Sequence, residues 1–226
     1  MIERNKIYCM DCLEGMKQIE DNSIDLLITD PPYSTPIITA FGRKKVKNYG
    51  DLSIQKHFIQ LIVNEFRRIS KQDGRGYIFC DDNYYPIIHQ TLYECPSIQL
   101  LIWDKGRIGM GRPYRKQHEL IAHFRKKGKG VLNTTQTKKS YSTILKYPVI
   151  PSNKRLHGAE KPIKLISDII FADSKEEDLV LDPFMGSGTT AVACKQLNRN
   201  FIGFEINQKY VDIANKRLAQ ETLKND

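Results

Sequence analysis

Asp30, Pro31, Pro32 and Tyr33 follow directly on an apolar run of Ile24, Leu26, Leu27 and Ile28. The run is too short and wrongly spaced for a helix face, and it stops where the backbone cannot pair, so it reads as a buried parallel strand. Two successive prolines fix φ and remove two N–H donors, which leaves a stiff corner with outward carbonyls. A carboxylate, such carbonyls and an aromatic ring can together grip a planar group that donates two hydrogens, as an exocyclic amine does. A plain strand-ending turn is the competing reading of these four residues, and a second corner decides between the two.

Residues 179–190, LVLDPFMGSGTT, repeat the plan: an apolar strand, Asp182-Pro183, then a glycine-rich turn of Gly186, Ser187 and Gly188 opening a helix. A turn of this kind lets a ligand approach the N–H groups of a helix N-terminus, where the partial positive charge favours a carboxylate or phosphate. Glu205 ends the next strand, nineteen residues after Gly186, the spacing at which an acid grips a ribose diol in nucleoside-binding α/β folds. Three ligands compete for such a site. A P-loop requires GxxxxGK[ST], and GSGTT has no lysine. A dinucleotide site prefers GxGxxG, and only GxG is present. S-adenosylmethionine, a nucleoside that carries a carboxylate, satisfies both the anion site and the ribose acid.

The elements that must position these corners alternate along the chain. Residues 6–11 read as a strand ending at Asp11, residues 12–19 as a helix start, and residues 24–29 as the next strand, a β-α-β opening. Residues 34–52 are polar, with Arg43, Lys44 and Lys45, and predict either a mobile lid whose cations touch phosphates or an ordinary solvated loop. Residues 53–69 have one apolar helix face, ended by Gly74 and Gly76, and residues 76–80 form a strand. Residues 84–92 read as a helix. Residues 97–105 and 117–124 read as strands with no helix between them, so they should form an antiparallel pair at one edge of the sheet. Their Gly/Arg-rich connection, with Arg107, Arg112 and Arg115, is placed toward the substrate. Residues 126–153 have few clear elements and read as an insertion that contacts DNA. A helix at 163–170, introduced by His157 and Lys161-Pro162 with proline in its first turn, the Asp182 strand, a helix at 189–197, a strand at 201–206 and a helix at 208–218 complete the order.

At 226 residues and 40% hydrophobic content the chain is long enough for one sizeable α/β domain. The net charge of +9 is concentrated: residues 105–161 carry fifteen Lys/Arg and two acids, Glu119 and Glu160, which favours a polyanionic partner. No apolar stretch reaches the ~20 residues of a membrane span, and the first residues carry no apolar leader, so a soluble, intracellular, cytoplasmic protein is expected. Five cysteines, an odd number, fit reduced thiols, and the Cys9/Cys12 pair has no second pair to complete a zinc site. No metal is expected, and His57, His89, His118 and His123 are read as structural.

On DPPY at 30–33, DPFMGSG at 182–188, Glu205 and HGAEKP at 157–162, nearly the whole chain outside the basic insertion resembles the beta class of amino-methylating DNA methyltransferases. In that group the Asp-Pro-Pro-Tyr motif precedes the S-adenosylmethionine motif. Gly158 stands where the family more often has proline. The resemblance implies a Rossmann-like S-adenosylmethionine-dependent methyltransferase fold: a circularly permuted α/β domain with a seven-stranded, mostly parallel sheet and one antiparallel edge hairpin. It also implies one catalytic domain over residues 1–226, with a small DNA-recognition insertion at about 126–156.

Carried over residue by residue, Asp30, Pro31, Pro32 and Tyr33 are catalytic. Phe184, Gly186, Ser187 and Gly188 line the methionine moiety, and Lys161 sits near its carboxylate. Glu205 holds the ribose, and Asp11, with Cys12 beside it, binds the adenine amine. Asp30, Asp182, Thr189 and Ile206 complete the cofactor set. The implied partner is double-stranded DNA with the target adenine flipped out, gripped by Arg43, Lys44, Lys45, Arg107, Arg112, Arg115, Lys138 and Lys139. No membrane is involved, and a homodimer is an option for assembly. Asp rather than Ser at the head of the motif favours adenine N6 over cytosine N4. A catalytically idle DNA-binding subunit is the reading from another class.

Overall fold

A computed structural model describes residues 2–32, 52–109, 113–127, 141–151, 153 and 160–225. The elements among them are β1 (Lys6–Cys9), α1 (Cys12–Met16), β2 (Ile24–Thr29), α2 (Leu52–Ile69), β3 (Ser70–Cys80), α3 (Tyr85–Thr91), β4 (Ser97–Asp104), β5 (His118–Arg125), β6 (Ile144–Lys146), α4 (Ile163–Asp173), β7 (Leu179–Asp182), α5 (Thr189–Gln196), β8 (Asn200–Glu205) and α6 (Gln208–Asn225). The strands form one sheet in the order β1-β8-β7-β2-β3-β5-β4-β6. Every pairing is parallel except the two that β5 makes, with β3 and with β4.

β2 is buried along its whole length because helices cover both faces of the sheet. On one face Ile24 and Leu27 pack with Met16 of α1, Phe66 of α2 and Ile88 of α3. On the other, Leu26 and Ile28 pack with Ile166 and Ile170 of α4, Ala191 of α5 and Val211 of α6. A register shift between Ile24 and Leu26 lets the run depart from strict alternation. Asp25, the acid within the run, joins three strands. It accepts from the Leu179 amide of β7 at 2.9 Å and from Lys71 Nζ of β3 at 2.7 Å.

The expected strands are all present, with differences whose causes are local. β3 begins at Ser70, directly after α2, rather than at Gly76. Gly74 is therefore a strand residue rather than a helix stop, and Gly76, read as the strand's first residue, lies in its middle. Gly76 makes room for the Phe124 ring of β5, whose carbons would lie 2.4 Å from an added Cβ. The antiparallel hairpin of β4 and β5 forms, but it is not the edge of the sheet. β6 pairs in parallel with the outer side of β4, Ile102 opposite Ile144, and adds an eighth strand to the seven expected. It lies inside the segment read as a basic insertion. Three residues alternating exposed and half-buried carry no apolar signature, and backbone pairing to β4 is what orders them.

Candidate active site

In a parallel sheet the carboxyl ends of the strands share one rim, and ligands of open α/β sheets bind there. Four adjacent strands each end in an acid at that rim: Asp11 after β1, Glu205 on β8, Asp182 on β7 and Asp30 after β2. The two Asp-Pro corners are next to each other because β2 pairs with β7, Leu27 opposite Leu181. Pro31 is buried, and Asp30 and Pro32 are half-buried.

The environments of the four acids differ. Asp182 is buried and accepts from Thr190 Oγ1 at 2.6 Å and from the Phe184 amide at 3.0 Å. Burial, with smaller contributions from the charges of Asp30 and Glu205, pushes its carboxyl up to about 7 against the pull of those two donors. The electrostatics thus join the three acids in one patch. Glu205 accepts from the Gly186 amide through Oε2 at 3.0 Å and from the Asn207 amide through Oε1 at 2.8 Å, so its carboxylate spans the glycine turn and the residues after β8. Asp11 caps α1, with Oδ1 accepting from the Leu13 and Glu14 amides at 2.9 and 3.2 Å. The neighbouring Cys12 thiol is buried and pushed up to about 12, chiefly by burial, so it is not a nucleophile at neutral pH.

The glycine turn is fixed by its backbone. Gly186 and Gly188 have φ of 52° and 84°, a region that costs other residues steric strain. An added Cβ on Gly188 would also lie 2.6 Å from that of Ala214 on α6. Arg217 of α6 clamps the turn from outside. Its Nη1 donates to Ser187 O at 2.8 Å, to Ser187 Oγ at 3.1 Å and to Thr189 Oγ1 at 3.3 Å, and pairs with Glu160 Oε1 at 3.0 Å. Ser187 and Thr189 are buried, Phe184 is half-buried edge-on to Phe58, and Ile206 is exposed.

Lys161, expected beside a cofactor carboxylate, has its Nζ 2.5 Å from Asp30 Oδ2 and 3.3 Å from Glu119 Oε2. Lys105 bonds the other oxygen of Glu119 at 2.5 Å. Sequence reasoning missed Glu119, Lys105, Arg217 and Glu160. A signal was present: Glu119 and Glu160 are the two acids among fifteen cations of residues 105–161, and both turn inward to an ion pair.

Arg107 and Arg115 are exposed on the β4–β5 connection, where Arg115 Nε donates to Gly109 O at 2.6 Å. Tyr114 beside them is 93% exposed, an aromatic side chain on an otherwise basic tip. Tyr33, Arg43, Lys44, Lys45, Arg112, Lys138, Lys139, His157 and residues 34–51 of the expected lid or loop lie outside the described residues, and Leu52 is the first residue of α2. Among the described residues no helix is long and apolar enough to cross a membrane.

A family model of the N6/N4 type, described as DNA methylase, matches residues 24–216. The Type II methyltransferase M.HpaI of Haemophilus parainfluenzae is 31% identical over 241 residues, covering 96% of this chain and 74% of that protein. M1.MboII of Moraxella bovis, also a Type II methyltransferase, is 30% identical over 264 residues, covering 97% and 98%. Among solved structures, the M1.HpyAVI-SAM complex superposes with a TM-score of 0.70 at 27% identity, covering 94% of this chain and 98% of that one. The cytosine-N4-specific PvuII DNA methyltransferase superposes with a TM-score of 0.77 at 19% identity, over 96% and 87%, a likeness of fold.

Proposed function

The chain belongs to the N6/N4 DNA methylase family and is an S-adenosylmethionine-dependent DNA methyltransferase, and on that premise we propose that it methylates the N6 amine of adenine in a flipped-out base. The observation that carries the reading is the adjacency of the Asp30-Pro31-Pro32 corner and the Gly186–Gly188 turn on neighbouring parallel strands. An amine acceptor and an anion-binding turn thereby share one rim.

The donor and acceptor set fits the cofactor. Glu205 offers two carboxylate oxygens to a ribose diol, Asp11 stands on the adjacent strand end for the adenine amine, and Gly186 in the turn has no Cβ to hold a ligand off. Phe184, Ser187, Asp182, Thr189 and Ile206 surround the methionine and ribose positions in this reading, with Cys12 beside Asp11. S-adenosylmethionine supplies an electrophilic methyl group on a sulfonium sulfur.

The amine nitrogen of adenine is a poor nucleophile because its lone pair is delocalised into the ring. Asp30 and the Pro31 carbonyl each accept one amine hydrogen, which pyramidalises the nitrogen and turns its lone pair out of the ring plane. No covalent intermediate with the protein is needed. Extruding the base from the duplex costs a few kcal/mol, and stacking on Tyr33, worth ~1–3 kcal/mol, offsets part of that. Arg107, Arg115 and other outward-facing cations of residues 105–161 supply phosphate contacts that fix register, while the β4–β5 connection and the basic insertion read the bases.

Mass-spectrometric analysis of nucleosides from unmethylated DNA incubated with the protein and S-adenosylmethionine tests the proposal. N6-methyladenine is the expected product. N4-methylcytosine in its place would overturn the choice of base, and no methylated nucleoside would favour an idle DNA-binding subunit.

A further inference from the structure

Among the described strands β5 alone is reversed within the sheet, so its first residues lie at the rim where the parallel strands end. That reversal brings Glu119 to Lys161 and, through it, to the catalytic corner. Lys161 is 8% exposed, and its ammonium lies 5.2 Å from the Phe79 ring and 5.9 Å from the Trp103 ring and bonds Asp30 Oδ2 and Glu119 Oε2. Lys105 holds Glu119 from the far side and lies 5.2 Å from the Trp103 ring. The result is a chain of alternating charge, Lys105, Glu119, Lys161 and Asp30, leading from half-exposed surface to the acid that meets the base.

We propose that Glu119 is a positioning residue for methyl transfer, which acts by holding the Lys161 ammonium against Asp30 Oδ2. The inference rests on the reading of Asp30 as the acceptor of the amine hydrogens. A lysine side chain is a flexible four-carbon stem with a compact charge, and an ammonium anchored by one carboxylate can swing about it. Two carboxylates and two ring faces leave it one place to be. Burial alone would lower the pKa of the ammonium, but Asp30 and Glu119 more than offset that and hold it above the usual lysine value. The fixed cation in turn commits Oδ2 and keeps Asp30 an anionic acceptor in one orientation. A misplacement on the order of 1 Å at such a group can cost about a hundredfold in rate. A salt bridge serving stability alone would make no such demand on turnover.

Steady-state methylation of unmethylated DNA by wild type, Glu119→Gln and Glu119→Asp separates the two roles, with folding checked by thermal midpoint. The expected result is a kcat lowered about tenfold to a hundredfold in Glu119→Gln, with KM for DNA and for S-adenosylmethionine within about twofold of wild type and part of the loss restored in Glu119→Asp. An unchanged kcat, or a raised cofactor KM with unchanged kcat, would overturn the proposal. Should Glu119→Gln fail to fold, Lys161→Met and Glu119→Gln/Lys161→Met remove the stranded charge. Equal kcat values in those two are expected if Glu119 acts only through Lys161, and a further loss in the double variant would refute it. A wild-type protein that methylates no DNA would sink the parent reading and this inference with it, whereas an active wild type matched by Glu119→Gln sinks the inference alone.

Discussion

Two acids at adjacent strand ends, Asp30 and Asp182, look alike in sequence, each followed by proline, and differ in what surrounds them. Asp30 is half-buried and ion-paired to Lys161, so it can meet a base as an anion. Asp30→Ala removes the acceptor while leaving the Gly186–Gly188 turn and Glu205 untouched. Methyl transfer should fall below detection with S-adenosylmethionine binding, followed by calorimetry, largely intact; persistent turnover would take Asp30 out of its role. Asp182 is held by Thr190 and Phe184 and its carboxyl is raised to about 7. The folded state therefore keeps a proton that the unfolded chain gives up near pH 4, so this group's contribution to stability declines as pH rises from about 4 to 7. Asp182→Asn does not titrate; its amide oxygen can still accept from the Phe184 amide, and its NH2 can donate to Thr190 Oγ1 in place of the bond that hydroxyl now donates. Its melting temperature relative to wild type should improve across that window, by the equivalent of a few kcal/mol at pH 8. A constant difference between the two proteins from pH 4 to 8 would refute the shift. The Asp-Pro pattern at the ends of two apolar runs singled out both acids, and the structure sets their strands side by side. Their different environments were not legible in the sequence, because Lys161 and Thr190 reach them only through the fold.

Among the elements, those with apolar periodicity or an apolar run were legible, and those ordered by backbone pairing or by a ring from another strand were not. β2 and β7 stood out because both of their faces are buried. β6 did not, since a three-residue strand needs only the outer edge of β4. Gly74 was misread as a helix stop, and Gly76, read as a strand's first residue, sits mid-strand opposite Phe124, a ring 48 residues away in sequence that it makes room for. Helix α4 is docked on the sheet by a buried acid of a kind that no local pattern announces. Asp173 Oδ2 accepts from Tyr77 Oη at 2.6 Å and lies 2.7 Å from His123 Nε2, while Arg75 Nε is 3.6 Å from Oδ1. All four side chains are buried. The phenol of Tyr77 is pushed well above its ordinary pKa, first by burial and then by the Asp173 charge, so it stays a donor at any physiological pH. Removing one member of such a cluster strands the others, at a cost of about 3–5 kcal/mol. Asp173→Ala should lower stability by that amount in urea unfolding, and a loss below about 1 kcal/mol would mean that the cluster is not what fixes α4.

For the whole molecule, composition stated the partner and the fold sharpened the statement. Residues 105–161 carry fifteen Lys/Arg against two acids, and the segment might have been partly self-neutralised at its surface. It is not. Glu119 is spent on Lys161 and Lys105 at the rim, and Glu160 on Arg217 of α6, so neither acid faces outward. Arg107 and Arg115 remain exposed on the β4–β5 connection, on the same rim as the acids of the site. An unbalanced cationic face of this kind binds DNA by displacing counterions, so log affinity should fall linearly with log salt, with a slope of about 0.9 per neutralised phosphate. If six phosphates are contacted, affinity for a duplex should drop about a thousandfold between 50 and 200 mM salt. Arg107→Ala and Arg115→Ala should each reduce the slope by about one and weaken binding to all sequences alike, because a phosphate contact carries no base information. Fluorescence anisotropy of a labelled duplex across that salt range gives both numbers. A flat dependence, or a slope unchanged in both variants, would move the DNA to another face of the protein and leave the concentration of charge in this segment without a polyanion to explain it.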